Sequence, residues 1–159
     1  MYEVIWHGRG GQGVVIAAQI LAESAYVQGF KGVTSAPTFG PERRGAPLTA
    51  STRISDAPIR TFSQIEKADI AVVLDPSLFG VVNILGSLKP EGLLAFSVEH
   101  RKGRSWRLTG SVRYAHSPDW LRRRAREEGL AEVSGRFQVL RLEYGARVEG
   151  YVSVMRRMV

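Results

Sequence analysis

The sequence predicts an α/β fold, and three observations predict it. The chain opens on a short apolar strand, residues 2–6, that runs through a glycine turn into a stretch with helical spacing. Residues 69–74 (DIAVVL) and 93–98 (LLAFSV) are continuous apolar runs bordered by turn residues, as strands buried on both faces are. Between them strand-like and helix-like segments alternate, the pattern of a mainly parallel sheet flanked by helices.

The elements follow in order. After YEVIW comes His7-Gly8-Arg9-Gly10-Gly11-Gln12-Gly13, then VVIAAQILAESAYVQG. There Val15, Ala18, Leu21, Ala22 and Ala25 recur at helical spacing, and Gly29 is placed to end the helix. Residues 32–36 form a second strand. Residues 37–47 (PTFGPERRGAP) hold three prolines and two glycines, which excludes a regular helix or a central strand. Residues 48–55 (LTASTRIS) alternate as a strand, and Asp56-Ala57-Pro58 is a turn. Ile59 and Arg60 begin its partner, which gives an antiparallel hairpin around 48–60. Residues 79–88 read as a helix and 89–92 (KPEG) as a turn. VRYA at 112–115 reads as a strand. Ser117 and Pro118 open a helix over 118–128, with Gly129 as its stop. From residue 130 onward the chain alternates without a clear architecture.

Composition bounds the function. A chain of 159 residues is one domain's length, enough to bury roughly 70% of its unfolded surface. There is no cysteine, which excludes disulfides, cysteine-ligated zinc, iron–sulfur clusters and a thiol nucleophile within this chain. Three scattered histidines make no metal site, so no metal ligand is expected. No apolar run approaches the ~20 residues of a membrane span, and the start lacks the basic leader of a signal peptide. A soluble cytoplasmic protein with no membrane contact is expected. Residues 1–99 carry 8 Lys+Arg against 9 Asp+Glu, and residues 100–159 carry 14 against 6. The excess basicity therefore lies entirely in the last 60 residues. It fits a solvated surface, an acidic partner, anionic ligands or nucleic acid.

Gly8, Arg9, Gly10, Gly11, Gln12 and Gly13 satisfy G-x-G-x-x-G between a strand and a helix, which makes the fold Rossmann-like. Glycines permit positive φ and close backbone approach, and the helix N-terminus offers free N–H groups to a phosphate. Arg9 adds a cation, and Gln12 bonds either a ligand or the adjacent loop. The same glycines also serve simple turn and packing needs. A nicotinamide site wants a carboxylate near the end of the second strand, and KGVTSAPTF has none. No P-loop motif is present. Asp75 ends a central strand, where it opens a turn or serves as an acid, and His7 lies at the loop mouth.

GRGGQGVVIAAQILAESA, FGPERRGAPLTASTRIS and DIAVVLDP, in this order, resemble the gamma subunit of pyruvate and related 2-oxoacid:ferredoxin oxidoreductases over about residues 2–98. The beta subunit of indolepyruvate oxidoreductase is a related alternative. The resemblance implies a non-catalytic subunit of an enzyme that converts a 2-oxoacid and coenzyme A to acyl-CoA and CO2, with ferredoxin as acceptor. Its partners would be alpha, beta and delta-type subunits, and thiamine diphosphate and the iron–sulfur clusters would belong to those partners. In this chain the glycine loop and Glu42, Arg43 and Arg44 would face coenzyme A. Guanidinium forks suit its phosphates, and Glu42 could orient one of them. A subunit interface or a plain surface turn are the other roles open to that segment. A stand-alone nucleotide-binding module and a nucleic-acid-binding module resting on the arginine-rich segment WLRRRAREE remain as alternatives; nucleic acid is the less expected partner.

Beyond about Val98 the resemblance fades. The family's late N-T-x-x-L-G-A-like segment is absent, and Arg- and Trp-rich sequence replaces it. Divergence or a shift of reading frame would each produce that tail.

Overall fold

The computed structural model describes residues 1–38, 45–110 and 113–158. These form nine strands and two α-helices: β1 (Tyr2–Arg9), α1 (Val14–Val27), β2 (Gly32–Thr38), β3 (Pro47–Ser55), β4 (Ala68–Val73), β5 (Leu88–His100), β6 (Trp106–Leu108), β7 (Tyr114–His116), α2 (Pro118–Glu127), β8 (Leu130–Glu143) and β9 (Ala146–Arg157). They fall into two compact units, Met1–Gly92 and Leu93–Val159. The α/β class and the Rossmann-like strand, glycine turn and helix stand as the sequence predicts.

In the first unit the strand order is β2-β3-β1-β4. β1 runs parallel to β4, with Val4 opposite Ile70 and His7 opposite Val73. β3 is antiparallel to β1 from Tyr2↔Ile54 to Arg9↔Pro47, and antiparallel to β2 from Gly32↔Ser55 to Thr38↔Thr49. β1 and β2 are therefore parallel to each other, joined through α1, with β3 inserted between them. The antiparallel partner of β3 is not the 59–60 segment, which contains no strand. Two tracks were already open to β3 on either side, and Pro58 cannot donate to a ladder. Pro37 lies in β2 and Pro47 is the first residue of β3, both positions that tolerate the missing N–H.

One core cluster of this unit joins Val14 and Ala18 of α1 to Ala50 of β3, with Trp6 and Leu48 packed against it. Thr52, fully buried, links α1 to the sheet: its hydroxyl donates to the Ala18 carbonyl at 3.1 Å and accepts from the Trp6 indole at 3.1 Å. Arg53 points to the other sheet face and is buried too, its guanidinium bonding Glu3 at 3.1 Å and the Ser63 carbonyl at 2.7 Å. The T-R-I-S segment is thus a structural strand whose alternate residues serve opposite faces.

The helix expected over 79–88 is replaced by two short 3-10 turns, Pro76–Gly80 and Leu85–Ser87. Asp75 starts the first by accepting from the Ser77 N–H at 2.9 Å. Residues 89–92, expected as a turn, belong to β5, with Glu91 in a left-handed conformation (φ 61°).

In the second unit β5 pairs antiparallel with β9, from Leu93↔Arg156 to Glu99↔Gly150, and parallel with β7 at Glu99↔Ala115. β8 and β9 form a long hairpin, unread from the sequence, that closes at Glu143↔Ala146. Its two turn residues, Tyr144 (φ 49°) and Gly145 (φ 81°), both adopt the positive φ of a type I′ turn. α2 forms as expected: Ser117 caps it by accepting from the Trp120 N–H, Pro118 is its first residue, and Gly129 ends it with φ 71°. Glu132 of β8 accepts from Arg122 at 2.5 Å, from the Tyr151 hydroxyl at 2.8 Å and from Ser153 at 2.8 Å.

Candidate functional site

The glycines at the end of β1 do three different jobs. A Cβ on Gly8 would lie 2.3 Å from Val14 Cγ2, so Gly8 lets the strand approach the start of α1. Gly11 (φ 92°) and Gly13 (φ 82°) take the left-handed backbone that L side chains avoid. Gly8 and Arg9 belong to the strand rather than to the loop. The loop is pinned from within: Gln12 Oε1 accepts from the Arg9 N–H at 2.7 Å, and the Gln12 N–H donates to the Arg9 carbonyl at 3.0 Å. Gln12 therefore bonds the adjacent loop.

Gly13 is the N-cap of α1. It brings no side-chain acceptor, and the first turn holds no carboxylate. The first-turn N–H groups of a helix have no intrahelical acceptor, so α1 begins with donors open to an anion.

Arg9 organises the mouth. Its Nη1 donates to the Gly45 carbonyl at 3.0 Å, its Nη2 donates to Ser77 Oγ at 2.9 Å, and its Nε lies 3.3 Å from Asp75. The Gly10 N–H donates to the Ala46 carbonyl at 3.1 Å. The glycine loop is thereby tied to Gly45, the last residue of the E-R-R-G motif. Glu42, Arg43 and Arg44 lie outside the described residues. Gln12 Nε2 donates to Asp75 at 2.8 Å. Burial raises the Asp75 carboxyl, but the hydrogen bonds from Ser77 and Gln12 and the Arg9 charge outweigh it and hold it below the usual carboxylate range. Ser77 was not singled out from the sequence. Its role depends on the Asp75-Pro76 turn, which brings it back beside residue 9 across 68 positions.

His7 is buried on the strand just before the loop, and neither ring nitrogen has a hydrogen-bond partner among the described residues. Burial pushes its imidazole below the ordinary value. A separate cavity of about 670 Å³ lies over the β1–β3–β2 sheet and is lined by Ile5, Thr49, Ser51, Arg53, Phe62 and Ile65 among others. None of the described residues expected to bind phosphate, Gly8 to Gly13, lines it. Among the described residues no cluster of three His, Asp or Glu side chains could hold a metal ion, and no helix is long and apolar enough to cross a membrane.

The family model described as pyruvate ferredoxin/flavodoxin oxidoreductase matches residues 3–137. The chain belongs to that family. The pyruvate/ketoisovalerate oxidoreductases common subunit gamma of Pyrococcus furiosus is 54% identical over 102 residues, which covers 64% of this chain and 55% of that protein. Pyruvate synthase subunit PorC of Methanothermobacter marburgensis is 50% identical over 94 residues, 59% of this chain and 52% of that one. The crystal structure of the PORC subunit of pyruvate oxidoreductase from Thermotoga maritima is 30% identical and covers 60% of each chain, with a TM-score of 0.49. The resemblance to the gamma-type chain of the pyruvate ferredoxin/flavodoxin oxidoreductase family is thus confirmed. The chain spans about half the length of the curated relatives it matches. The family match also runs past Val98, through α2 and into β8.

Proposed function

We propose that this chain is the gamma subunit of a cytoplasmic 2-oxoacid:ferredoxin oxidoreductase, with pyruvate as the leading substrate. Its part is to help hold coenzyme A while partner subunits carry out the oxidative decarboxylation. The observation that carries this reading is the uncapped start of α1 joined by Arg9 to the E-R-R-G segment. Backbone donors there suit a pyrophosphate, and Arg43 and Arg44 extend the positive charge along the sequence. Bound coenzyme A would supply the thiol that accepts the acyl group. The residues of this chain bind and orient its phosphates and take no proton in the reaction. The Arg9 charge is shared with Asp75, so the backbone donors provide most of the fixed attraction.

A subunit role also accounts for α1. It buries Val14, Ala18, Ala22 and Ala25 and exposes Ile16, Ile20 and Val27, the last at 79%. A helix that is apolar on both sides is normally covered on both. The 2-oxoacid is left open because relatives are named for different ones, including phenylglyoxylate in Aromatoleum evansii. β2 ends without a carboxylate, so nothing favours a nicotinamide site.

The test is anaerobic co-expression with the thiamine- and cluster-binding subunits of the same host, followed by viologen reduction across several 2-oxoacids. Coenzyme A-dependent activity that requires this chain is expected. Full activity of the partners without it would overturn the reading.

A further inference from the structure

The cavity over the first sheet lies on the face opposite α1. Thr52 turns to α1, so Thr49, Ser51 and Arg53 of β3 turn away from it. The register sets Ile5 of β1 and Thr34, Ala36 and Thr38 of β2 beside them. Phe62, Gln64 and Ile65, from the segment after β3, complete the lining. At about 670 Å³ the cavity has the size of a small-molecule site.

Its chemistry is neutral. Arg53 is the one charged residue of the lining, and its guanidinium is engaged by Glu3 and by the Ser63 carbonyl. A phosphate or a carboxylate finds no free partner there. Thr34, Thr38, Thr49 and Gln64 make no side-chain hydrogen bond among the described residues, so their donors and acceptors are open to a ligand. Phe62 is 83% exposed, which leaves its ring available for stacking. The Gln64 amide carries a donor and an acceptor side by side, the pair that matches the N6 and N7 edge of adenine.

The cavity also adjoins the mouth of the glycine loop. A Cβ on Gly8 would point at Val14 of α1, so Arg9 turns to the opposite face, that of Ile5. Arg9 is opposite Pro47, and Thr49 lies two residues further along β3, roughly 7 Å away. A ribose bridges such a gap between a phosphate and its base.

We infer that this cavity receives the adenine base of coenzyme A. The inference rests on the reading of the loop mouth as the seat of the cofactor's phosphates and adds where the nucleoside end lies. The thiol end has to leave this chain to meet the acyl group on a partner subunit. The end that stays is therefore the base, stacked on Phe62 and read along its edge by Gln64.

The experiment measures kcat/KM of the assembled oxidoreductase for three thiol acceptors: coenzyme A, its hypoxanthine analogue, and pantetheine, which lacks the nucleotide. The chain is supplied as wild type, as Gln64→Leu and as Phe62→Ala, two exposed positions whose replacement leaves the sheet core untouched. Wild type is expected to prefer coenzyme A to both other acceptors. In Phe62→Ala the preference over pantetheine should fall about tenfold, as loss of one base stack predicts. In Gln64→Leu the preference over the hypoxanthine analogue should disappear, because the amide that distinguishes the two bases is gone. A merely structural role for Gln64 would not move that ratio. Variants that keep both wild-type ratios overturn the adenine site and leave the phosphate reading intact. A wild-type enzyme that uses pantetheine as well as coenzyme A overturns both.

Discussion

Arg9, the last residue of β1, and Asp75, two residues beyond the parallel neighbouring strand β4, face each other at 3.3 Å across the mouth of the glycine loop. The pair decides how the loop is held. Asp75 gathers Gln12, Ser77 and Arg9, and Arg9 passes the constraint on to Gly45. Asp75→Asn keeps the acceptor for the Ser77 N–H and removes the charge. Because the folded carboxyl lies below the usual range, its stabilisation is full above the ordinary aspartate value. It is lost as pH falls through the lower folded value. The variant should be less stable than wild type by about 1 kcal/mol at pH 7, the size of a partly exposed pair. The gap should close in strong acid, as read by denaturant unfolding across pH.

Gly8→Ala tests strand–helix approach rather than backbone strain. The new Cβ meets Val14 Cγ2, and overpacking of this kind costs about 1–3 kcal/mol. Adding Val14→Ala should return part of that loss, an interaction visible in a double-mutant cycle. Gly13→Ala has open space and φ 82°, so it should lose about 1–2 kcal/mol that no neighbouring truncation restores.

Thr52→Val removes one hydroxyl that serves two buried partners, the Trp6 indole and the Ala18 carbonyl. A loss of about 1–3 kcal/mol is expected in chemical denaturation. Thr52→Ser should keep most of the stability. A Val variant as stable as wild type would show that the hydroxyl does not link α1 to the sheet.

His7 gives the opposite pH dependence to a salt-bridged histidine. Burial lowers its folded pKa, so below the ordinary histidine value the unfolded chain binds the proton first and stability falls with pH. His116 is lowered by burial in the same direction and adds to the slope. His7→Leu should flatten the loss that sets in as pH falls below the ordinary histidine value of about 6.5, measured as unfolding free energy against pH. An unchanged slope would mean that His7 bonds a partner in solution.

The elements with local signals were legible. Ser117-Pro118 and Gly129 delimited α2, and the glycine run delimited α1. What the sequence hid depends on distant pairing. Nothing local shows that β3 inserts between β1 and β2, because that choice is made by ladders spanning 11 to 52 positions. Alternation in β8 and β9 was visible, but two register shifts in their ladder blurred its phase. At the site, Gly8 to Gly13 could be placed from spacing alone. The duty of Ser77 could not, since a serine after Asp-Pro carries no sign of the residue it will meet. In the tail, arginine density drew attention to α2, although acidic neighbours at helical spacing and on β8 pair with Arg122 and Arg124.

The most direct test of the central claim is the coenzyme A KM of the assembled oxidoreductase carrying Arg9→Gln in this chain. Arg9→Gln cuts the loop's ties to Gly45, Ser77 and Asp75, so the backbone donors lose their fixed placement. At about 0.5–1.5 kcal/mol for each lost hydrogen bond, a coenzyme A KM raised severalfold is expected, with the 2-oxoacid KM and kcat nearly unchanged. Arg9→Lys should give a smaller rise. An unaltered coenzyme A KM in a fully assembled Arg9→Gln complex would contradict the claim that this loop holds the cofactor's phosphates.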